Sequence, residues 1–197
     1  RYPGTPLSYF TNGVDEEFFP REAPTVSGGH QGPVRVLYAG NLGEAQGLHV
    51  TIPPLAKRLA GRVQFTLIGD GGRRTQLEQA LVTAGVDSVR IVPPMPRDAL
   101  IAEYRKADVL FLQLNDYPAF KTVLPSKIFE YAALGKPIWA GLAGHPADFL
   151  RQEVSNSAVF PPCDVDAALA ALAELRICDE PRWSFITKYS RRTIMRQ

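Results

Sequence analysis

Short apolar runs alternate with amphipathic stretches along the chain from residue 34 onward. The apolar runs predict strands at residues 34–39, 63–68, 89–92, 109–112, 137–140 and 158–160. The stretches between and after them have helical spacing and predict helices at residues 47–60, 74–84, 97–106, 126–134, 147–152, 165–175 and 181–190. This alternation predicts an α/β fold, a doubly wound, Rossmann-like parallel sheet with helices on both faces.

The stretch from residue 120 to residue 137 holds most of the candidate chemistry. Pro125 and Ser126 predict the start of a short helix with Ser126 as its N-cap, and Gly135 predicts its end. A helix N-terminus presents unpaired backbone N–H groups and the positive end of the helix dipole. The stretch therefore predicts an anion-binding helix start, with an ordinary capped helix as the alternative.

Charged side chains surround this predicted helix start. Lys121 and Lys127 flank it, and Glu130, one turn further on, is the only carboxylate of the helix. Lysines at a helix N-terminus suit phosphate, while a lone carboxylate suits the hydroxyl groups of a sugar or a ribose. We therefore interpret the stretch as the site of a nucleotide-sugar diphosphate, and solvated lysines beside a surface glutamate are the alternative.

In parallel sheets of this type, ligands bind beyond the carboxyl ends of the strands, where the strand order reverses. The rule selects the loops at residues 40–47, 69–73, 92–96 and 113–126. In the first loop, Gly40 and Gly43 allow the backbone to approach a phosphate, and Asn41 and Gln46 can donate hydrogen bonds. The glycine spacing is not that of dinucleotide-binding folds, so a hydride-transfer enzyme is disfavoured. A tight turn is the alternative interpretation of this loop.

The next two loops predict further contacts with a ligand. Gly69, Asp70 and Gly71 follow the second strand, and glycines on both sides of an aspartate suit either a ligand contact or a plain β–α connection. Pro94 and Met95 belong to a rigid, proline-rich loop after the third strand. That loop either faces the edge of a nucleobase or only connects two elements.

Composition narrows the class of function. The net charge of +2 over 197 residues, without a basic run interleaved with aromatic residues, argues against a nucleic-acid partner. The three histidines are scattered, so no metal site is predicted, and Cys163 and Cys178 are predicted to be free thiols. The sequence has no run of 18 apolar residues and no signal peptide, so a cytoplasmic location is expected. Basic residues gather locally, Arg73 and Arg74 among them.

The chain divides into three predicted parts. Residues 1–33 lack a periodic element and predict a linker, residues 34–180 form the α/β domain, and residues 181–197 form a C-terminal helix. Because the chain begins in a loop, we expect a fragment of a longer protein that has an N-terminal domain before it. The basic C-terminal helix is expected to pack against that domain, with contact to anionic membrane lipids as the alternative.

Taken in order, these segments resemble the C-terminal, donor-binding domain of the family four (group 1) retaining glycosyltransferases, which have the two-domain GT-B fold. The resemblance rests on residues 12–20, 40–48, 67–78, 107–109, 129–137 and 158–164. Pro-Ser-Lys before the Glu-Tyr helix is most similar to bacterial enzymes of surface-polysaccharide and lipopolysaccharide assembly, of the L-fucosamine transferase type. The resemblance implies that Glu130 binds the ribose, that the backbone at Leu124 and Ser126 meets the diphosphate, and that residues 93–95 meet the base.

Two departures from the family pattern affect the predicted contacts. Thr122 stands where many members have a glutamate that touches the donor sugar, and Asn41 and Gln46 stand where many members have Arg and Lys. Lys121 and Lys127 would then supply the positive charge and act in catalysis by stabilising the departing diphosphate.

The resemblance also implies an activity for the complete enzyme. It would transfer a hexosyl group, with retention of configuration, from a nucleotide sugar to a glycan or lipid-linked acceptor held by the N-terminal domain. A UDP-sugar donor, no metal, no cofactor and a location at the inner face of the cytoplasmic membrane are expected, and this chain alone is expected to be inactive. A nucleotide-sugar epimerase and a non-catalytic nucleotide-binding module are the alternatives.

Overall fold

The computed structural model describes residues 12–20 and 32–195, and the rest of the predicted linker lies outside the described residues. Six parallel strands form one sheet in the order β3-β2-β1-β4-β5-β6. They are β1 (Val34–Ala39), β2 (Val63–Ile68), β3 (Val89–Val92), β4 (Val109–Gln113), β5 (Ile138–Gly141) and β6 (Ser157–Phe160). The prediction of a doubly wound α/β fold is confirmed, and each predicted strand agrees with the structure to within one residue at either end.

Eight α-helices lie within the described residues. They are α1 (Leu48–Arg58), α2 (Arg74–Ala84), α3 (Arg97–Lys106), α4 (Lys127–Leu134), α5 (His145–Glu153), α6 (Val165–Glu174), α7 (Trp183–Tyr189) and α8 (Arg191–Ile194). Pro53 and Pro54 lie in the middle of α1. Each proline removes one intrahelical hydrogen bond. Burial of Ile52 and Leu55 in the core offsets that loss.

Helices cover both faces of the sheet. Side chains of α1, α2 and α6 form the core on one face, and side chains of α3, α4, α5 and α7 form the core on the other. The first core is built around Trp139, whose ring packs edge-on against Phe111 and whose Nε1 donates a hydrogen bond to the Ala168 carbonyl oxygen at 2.9 Å. This bond fixes α6 on the sheet while satisfying the one polar group of the buried indole.

β1 and β4 lie side by side in the middle of the sheet. The chain leaves β1 toward α1 on one face and leaves β4 toward α4 on the other, so the loops that follow these strands diverge. Divergence at this switch point opens a crevice at the carboxyl edge of the sheet. The crevice lies between the loops that the sequence selected as candidate ligand loops.

The predicted N-cap of α4 is wrong. Ser126 has helical backbone angles, φ −57° and ψ −32°, and its side chain makes no capping hydrogen bond. A capping serine needs an extended backbone that turns its hydroxyl back toward the N–H groups of the first turn. At its other end α4 stops at Gly135, which has φ +76°, as predicted.

The C-terminal helix differs from its prediction. It is broken into α7 and α8 at Ser190, whose backbone is extended and whose side chain caps α8 by accepting a hydrogen bond from Thr193 N. Trp183 at its start is 56% exposed, whereas Ile186 and Tyr189 are buried. Trp183 lies outside the buried face of the helix, whose members are spaced i, i+3, i+4 and i+7: Arg182, Phe185, Ile186 and Tyr189.

α7 packs on α4, and the ring of Tyr189 lies 5.5 Å from that of Phe129. A short N-terminal segment, residues 12–20, runs alongside: Val14 N donates to the Tyr189 carbonyl, and Arg191 N donates to the Val14 carbonyl, both at 2.9 Å. None of the helices in the described part of the chain is long and apolar enough to cross a membrane. The two cysteines are free thiols, as predicted.

Candidate functional site

A cavity of about 320 Å³ lies at the carboxyl edge of the sheet, between the ends of β1, β2 and β3 and the start of α4. Lys127 and six of the predicted binding residues line it: Gly40, Asn41, Gly69, Asp70, Pro94 and Met95. The structure therefore brings together residues from three separate loops that the sequence selected one by one. We call this space the first cavity.

The loops after β1 and β2 are in direct contact at the floor of the first cavity. Gly69 has φ +152°, and a Cβ added there would overlap the Gly40 carbonyl oxygen. Gly40 has φ +156°, and a Cβ added there would lie 2.8 Å from Tyr38 Oη and 3.1 Å from Lys127 Cε. Only glycine fits at both positions, because either side chain would push the two loops apart or fill the cavity.

Lys127 belongs to the first turn of α4, and its side chain lines the first cavity. Its Nζ donates a hydrogen bond to Tyr104 Oη at 3.3 Å and lies 3.9 Å from Glu130 Oε2. Burial lowers the pKa of Lys127, and the attraction of Glu130 opposes that shift. The pairing with Glu130 keeps Lys127 positively charged although little solvent reaches it. A partly desolvated cation of this kind suits an anionic ligand.

α4 is held against the strand that ends at the first cavity. Tyr131 lies fully buried on α4, and its hydroxyl accepts a hydrogen bond from Ala39 N at 3.3 Å. The ring of Tyr131 packs edge-on against that of Tyr104, with centroids 5.2 Å apart. Lys127 is therefore presented by a helix whose position relative to β1 is fixed by buried contacts.

Glu130 faces a second cavity, of about 340 Å³, next to the first. Ser126 lines this second cavity with Glu130, and Asp15, Arg97 and Arg191 complete its charged walls. Burial raises the pKa of Glu130, while Lys127 and then Arg97 oppose the shift by stabilising the charged form. The carboxylate is therefore partly desolvated, with 26% of its side chain exposed.

Ion pairs close the second cavity on the side of the N-terminal segment. One Asp15 carboxylate oxygen lies 2.7 Å from Arg97 Nη2, and the other lies 2.7 Å from Arg191 Nε. Arg97 also pairs with Glu17. The N-terminal segment, α3 and α8 are thereby joined around the space that Glu130 faces.

The loop after β4 places its predicted residues differently. Lys121 is half exposed and pairs with Asp116 at 3.5 Å, while the Thr122 hydroxyl donates to the Ala119 carbonyl at 3.1 Å. Leu124 packs its partly buried side chain on the core. None of these three predicted residues is among the described residues that line the first or second cavity.

A cluster that the sequence did not predict joins the same loops from outside. Glu44, in the loop after β1, accepts hydrogen bonds from Arg73 Nε at 2.5 Å and from the Tyr117 hydroxyl at 2.7 Å. Asn115 Nδ2 donates to the Glu44 carbonyl at 3.0 Å. The hydrogen bond from Tyr117, and then that from Arg73, lowers the pKa of Glu44, which keeps it ionised at neutral pH.

One of the two predicted donors of the first loop, Gln46, contacts the loop through its amide oxygen. The side-chain oxygen of Gln46 accepts a hydrogen bond from Gly43 N at 3.3 Å, and its backbone oxygen accepts one from Gln113 Nε2 at 2.9 Å. Gln113 is fully buried and also donates to Thr51 Oγ1 at 2.9 Å. These contacts hold the loop after β1 on the end of β4.

One buried arginine supports α4 from its far end. The Arg182 guanidinium is 4% exposed and donates to the carbonyl oxygens of Ala132, Lys136 and Ser155 at 3.1, 3.0 and 2.6 Å. Desolvation lowers the pKa of Arg182 to about 10, against a smaller opposing effect of nearby carboxylates. The arginine remains charged at neutral pH and ties α4 to the segments that lead into β5 and β6.

A family model described as glycosyl transferases, group 1, matches residues 33–176. The chain belongs to this family. Among curated proteins, the chain is 32% identical over 100 residues to WcaI of Escherichia coli strain K12, whose name assigns it to glycosyl transfer in colanic acid biosynthesis. That match covers 51% of this chain and 24% of WcaI.

Solved structures of glycosyltransferases share the fold. The lipopolysaccharide outer core galactosyltransferase WaaB, in its apo form, matches with a TM-score of 0.65 at 15% identity, over 96% of this chain and 53% of WaaB. Anabaena HepE, solved with UDP-glucose, matches with a TM-score of 0.66 at 17% identity, over 84% of this chain and 47% of HepE. This group 1 chain therefore spans about half the length of either protein.

A third similar structure consists of a C-terminal domain alone. The C-terminal domain of the group 1 glycosyl transferase LpcC from Francisella tularensis matches with a TM-score of 0.60 at 17% identity. The match covers 82% of this chain and 86% of that domain. The fold of this chain therefore corresponds to that of a C-terminal domain from this family.

Proposed function

We propose that this chain is the donor-binding half of a retaining glycosyltransferase and that the first cavity takes the nucleoside diphosphate of the donor. The observation that carries the proposal is the convergence of Lys127 with Gly40 and Gly69 at the switch point of the sheet. A phosphate at this position can contact both the backbone at the two glycines, which no side chain covers, and the cation of Lys127. Membership of glycosyl transferases group 1 supports the same assignment.

Two lysines serve the diphosphate in this proposal. Lys127 lines the first cavity and neutralises the phosphates directly, together with the N–H groups at the start of α4. Lys121 lies outside the cavity, on the loop after β4, and reaches the diphosphate when the donor draws that loop inward. Thr122 moves with the same loop and contacts the transferred sugar.

The nucleoside lies between Glu130, which faces the second cavity, and Pro94 and Met95, which line the first. Glu130 accepts hydrogen bonds from the ribose hydroxyls, which replace the water that its half-buried carboxylate lacks. Pro94 and the partly buried Met95 present the base with a rigid, largely apolar loop. Lys127 Nζ and Glu130 Oε2 lie 3.9 Å apart, so one nucleotide can place its diphosphate at Lys127 and its ribose at Glu130.

We infer that the donor is a UDP-sugar and that the acceptor is a glycan or lipid-linked sugar of a bacterial surface polysaccharide. The structures of HepE with UDP-glucose and the names of WcaI and WaaB support this inference. An L-fucosamine transferase type is the finer proposal. A second domain holds the acceptor, so this chain alone binds the donor without transferring it. The complete enzyme uses no metal or cofactor and works in the cytoplasm, at the inner face of the membrane.

Calorimetric titration with UDP, GDP and ADP tests the proposal. We expect UDP to bind, and Lys127→Gln and Glu130→Ala each to weaken that binding about tenfold, the loss of one charge-assisted contact. Lys57→Gln, an exposed lysine at the opposite edge of the sheet, is the matched control and leaves the affinity unchanged. Binding that is insensitive to both site variants would remove the first cavity as the donor site.

A further inference from the structure

The loop after β1, whose Gly40 and Asn41 line the first cavity, also carries a negative charge. Between Gly40 and Gly47 the sequence has no lysine or arginine, and Glu44 is its only ionisable residue. Its lowered pKa keeps Glu44 charged at neutral pH. A bound diphosphate would be repelled by this carboxylate unless a neighbouring cation compensated for it.

Arg73 is the cation that pairs with this carboxylate. It belongs to the loop after β2, but its backbone N–H donates to the Leu42 carbonyl at 2.9 Å, which anchors it on the loop after β1. Its guanidinium donates to Glu44 through Nε at 2.5 Å and to Gln76 through Nη1 at 2.8 Å. The side chain is 46% exposed, so the planar donor groups remain accessible to a ligand.

The other cations near the first cavity are already matched with carboxylates. Lys127 is the one positively charged side chain among the described residues that line the first cavity, and Glu130 lies beside it. Arg74 pairs with Glu78 on its own helix and lies 3.9 Å from Asp70. A nucleoside diphosphate carries more negative charge than Lys127 alone can compensate. Lys121, the second lysine of the proposed function, lies outside the first cavity and pairs with Asp116, so a further cation beside the cavity would add to diphosphate binding.

We propose that Arg73 binds the diphosphate of the donor and that Glu44 is the counterion from which the diphosphate takes it. The inference rests on the proposed function, because it requires a nucleoside diphosphate in the first cavity. A guanidinium can present two parallel N–H groups to phosphate as readily as to carboxylate, so the exchange conserves its hydrogen bonds. Glu44 retains the hydrogen bond from Tyr117 when Arg73 leaves.

In this arrangement the Glu44 carboxylate and the donor diphosphate compete for Arg73, and the competition sets the affinity for the donor. With Glu44 charged, each binding event must break one ion pair to form another, so the affinity for diphosphate is lower than Arg73 alone would give. Uridine has no phosphate and does not enter this competition. The effect of Arg73 should therefore fall on the diphosphate and leave the nucleoside contacts unchanged.

A double-mutant cycle on the chain tests the assignment, with Kd for UDP and for uridine measured by calorimetry at low ionic strength. We expect Arg73→Gln to weaken UDP binding about tenfold and to leave uridine binding unchanged. Glu44→Gln strengthens UDP binding about threefold in the wild-type background. Its effect is smaller with Arg73→Gln, where it removes only the repulsion between Glu44 and the diphosphate. This dependence of one variant on the other is not expected of residues that only support the loop.

Two further variants serve as controls in the same measurement. Arg58→Gln removes an exposed arginine that pairs with Asp166 at the opposite edge of the sheet, and it should leave UDP binding unchanged. Tyr117→Phe removes the other hydrogen bond to Glu44 and keeps Arg73. If Tyr117→Phe reproduces the effect of Arg73→Gln, loop packing explains the loss and the inference is overturned.

The outcomes separate this inference from the proposed function. No UDP binding by the wild-type chain overturns both. UDP binding that Lys127→Gln weakens and Arg73→Gln does not overturns only the role of Arg73. An equal loss of UDP and uridine affinity in Arg73→Gln also overturns it, because that result shows a damaged nucleoside site.

Discussion

Lys127 Nζ and Glu130 Oε2 lie 3.9 Å apart, yet the two side chains line different cavities. Burial lowers the pKa of the first and raises the pKa of the second, and the attraction between them opposes both shifts. Both groups are therefore held in their charged forms against a cost of desolvation. Groups in this condition are typical of ligand sites, where the ligand supplies the missing contacts.

Replacing Glu130 by Gln should stabilise the fold at neutral and alkaline pH. Because the pKa of Glu130 is higher in the folded than in the unfolded chain, its contribution to stability is fully present below the unfolded pKa and is lost as pH rises through the folded pKa. The gain in Tm should therefore be largest near pH 8 and disappear near pH 4. Thermal unfolding over this pH range measures it, with exposed Glu174→Gln as the control. A gain that grows toward acid pH would contradict the direction of the shift.

Gly69→Ala should destabilise the fold by at least about 2 kcal/mol, because the new methyl group overlaps the Gly40 carbonyl oxygen and the backbone has a positive φ. Urea unfolding gives the free energy. Gly72→Ala is the matched control, since a Cβ there meets nothing within 4 Å. We expect this variant to be neutral or stabilised by up to about 1 kcal/mol. Similar losses in both variants would mean that the two loops do not touch.

Arg182→Met should lower the free energy of unfolding by about 2–4 kcal/mol. The substitution removes the guanidinium donor from the Lys136 and Ser155 carbonyl oxygens, and it leaves the Ala132 carbonyl only the hydrogen bond from Gly135 N. Arg151→Met, at an exposed arginine paired with Asp148, should change stability by less than about 0.5 kcal/mol. Equal stability of Arg182→Met and wild type in urea would show that these carbonyls find other partners.

Two helix starts that looked alike in sequence should respond differently to alanine. The Asp164 carboxylate accepts a hydrogen bond from Ala167 N at 2.9 Å, so Asp164→Ala should cost about 1 kcal/mol. Ser126 makes no such bond, so Ser126→Ala should cost less than about 0.5 kcal/mol. Urea unfolding of the two variants side by side checks the difference, and the reverse ranking would restore Ser126 as the cap.

The fold could be predicted from the sequence because its signals are local. Each strand is a β-rich apolar run, and breakers such as Gly85 and Gly135 end their helices with positive φ. Ser126 shows the limit of this method, since a capping residue type does not fix the backbone angles that capping requires. The exposure of Trp183 could not be predicted either, because the buried face of α7 begins with a charged residue, Arg182, which the apolar pattern does not include.

Only part of the candidate site could be predicted, because only part of it has a local signal in the sequence. Gly40, Gly69 and Lys127 were found from strand ends and a helix start, which a sequence displays directly. The link from Glu44 to Arg73 and Tyr117 joins three loops that are far apart along the chain. Such a contact depends on strand order, and only the basic pair at Arg73 and Arg74 hinted at it.

The buried Arg182 also affects the order in which parts of the protein can fold during synthesis on the ribosome. All six strands have been synthesised by residue 160, yet the guanidinium that satisfies the far end of α4 belongs to residue 182. A nascent chain that has emerged only to residue 176, where the family match stops, still lacks this guanidinium. The sheet can therefore assemble early, whereas the helix that presents Lys127 and Glu130 is secured only when α7 follows.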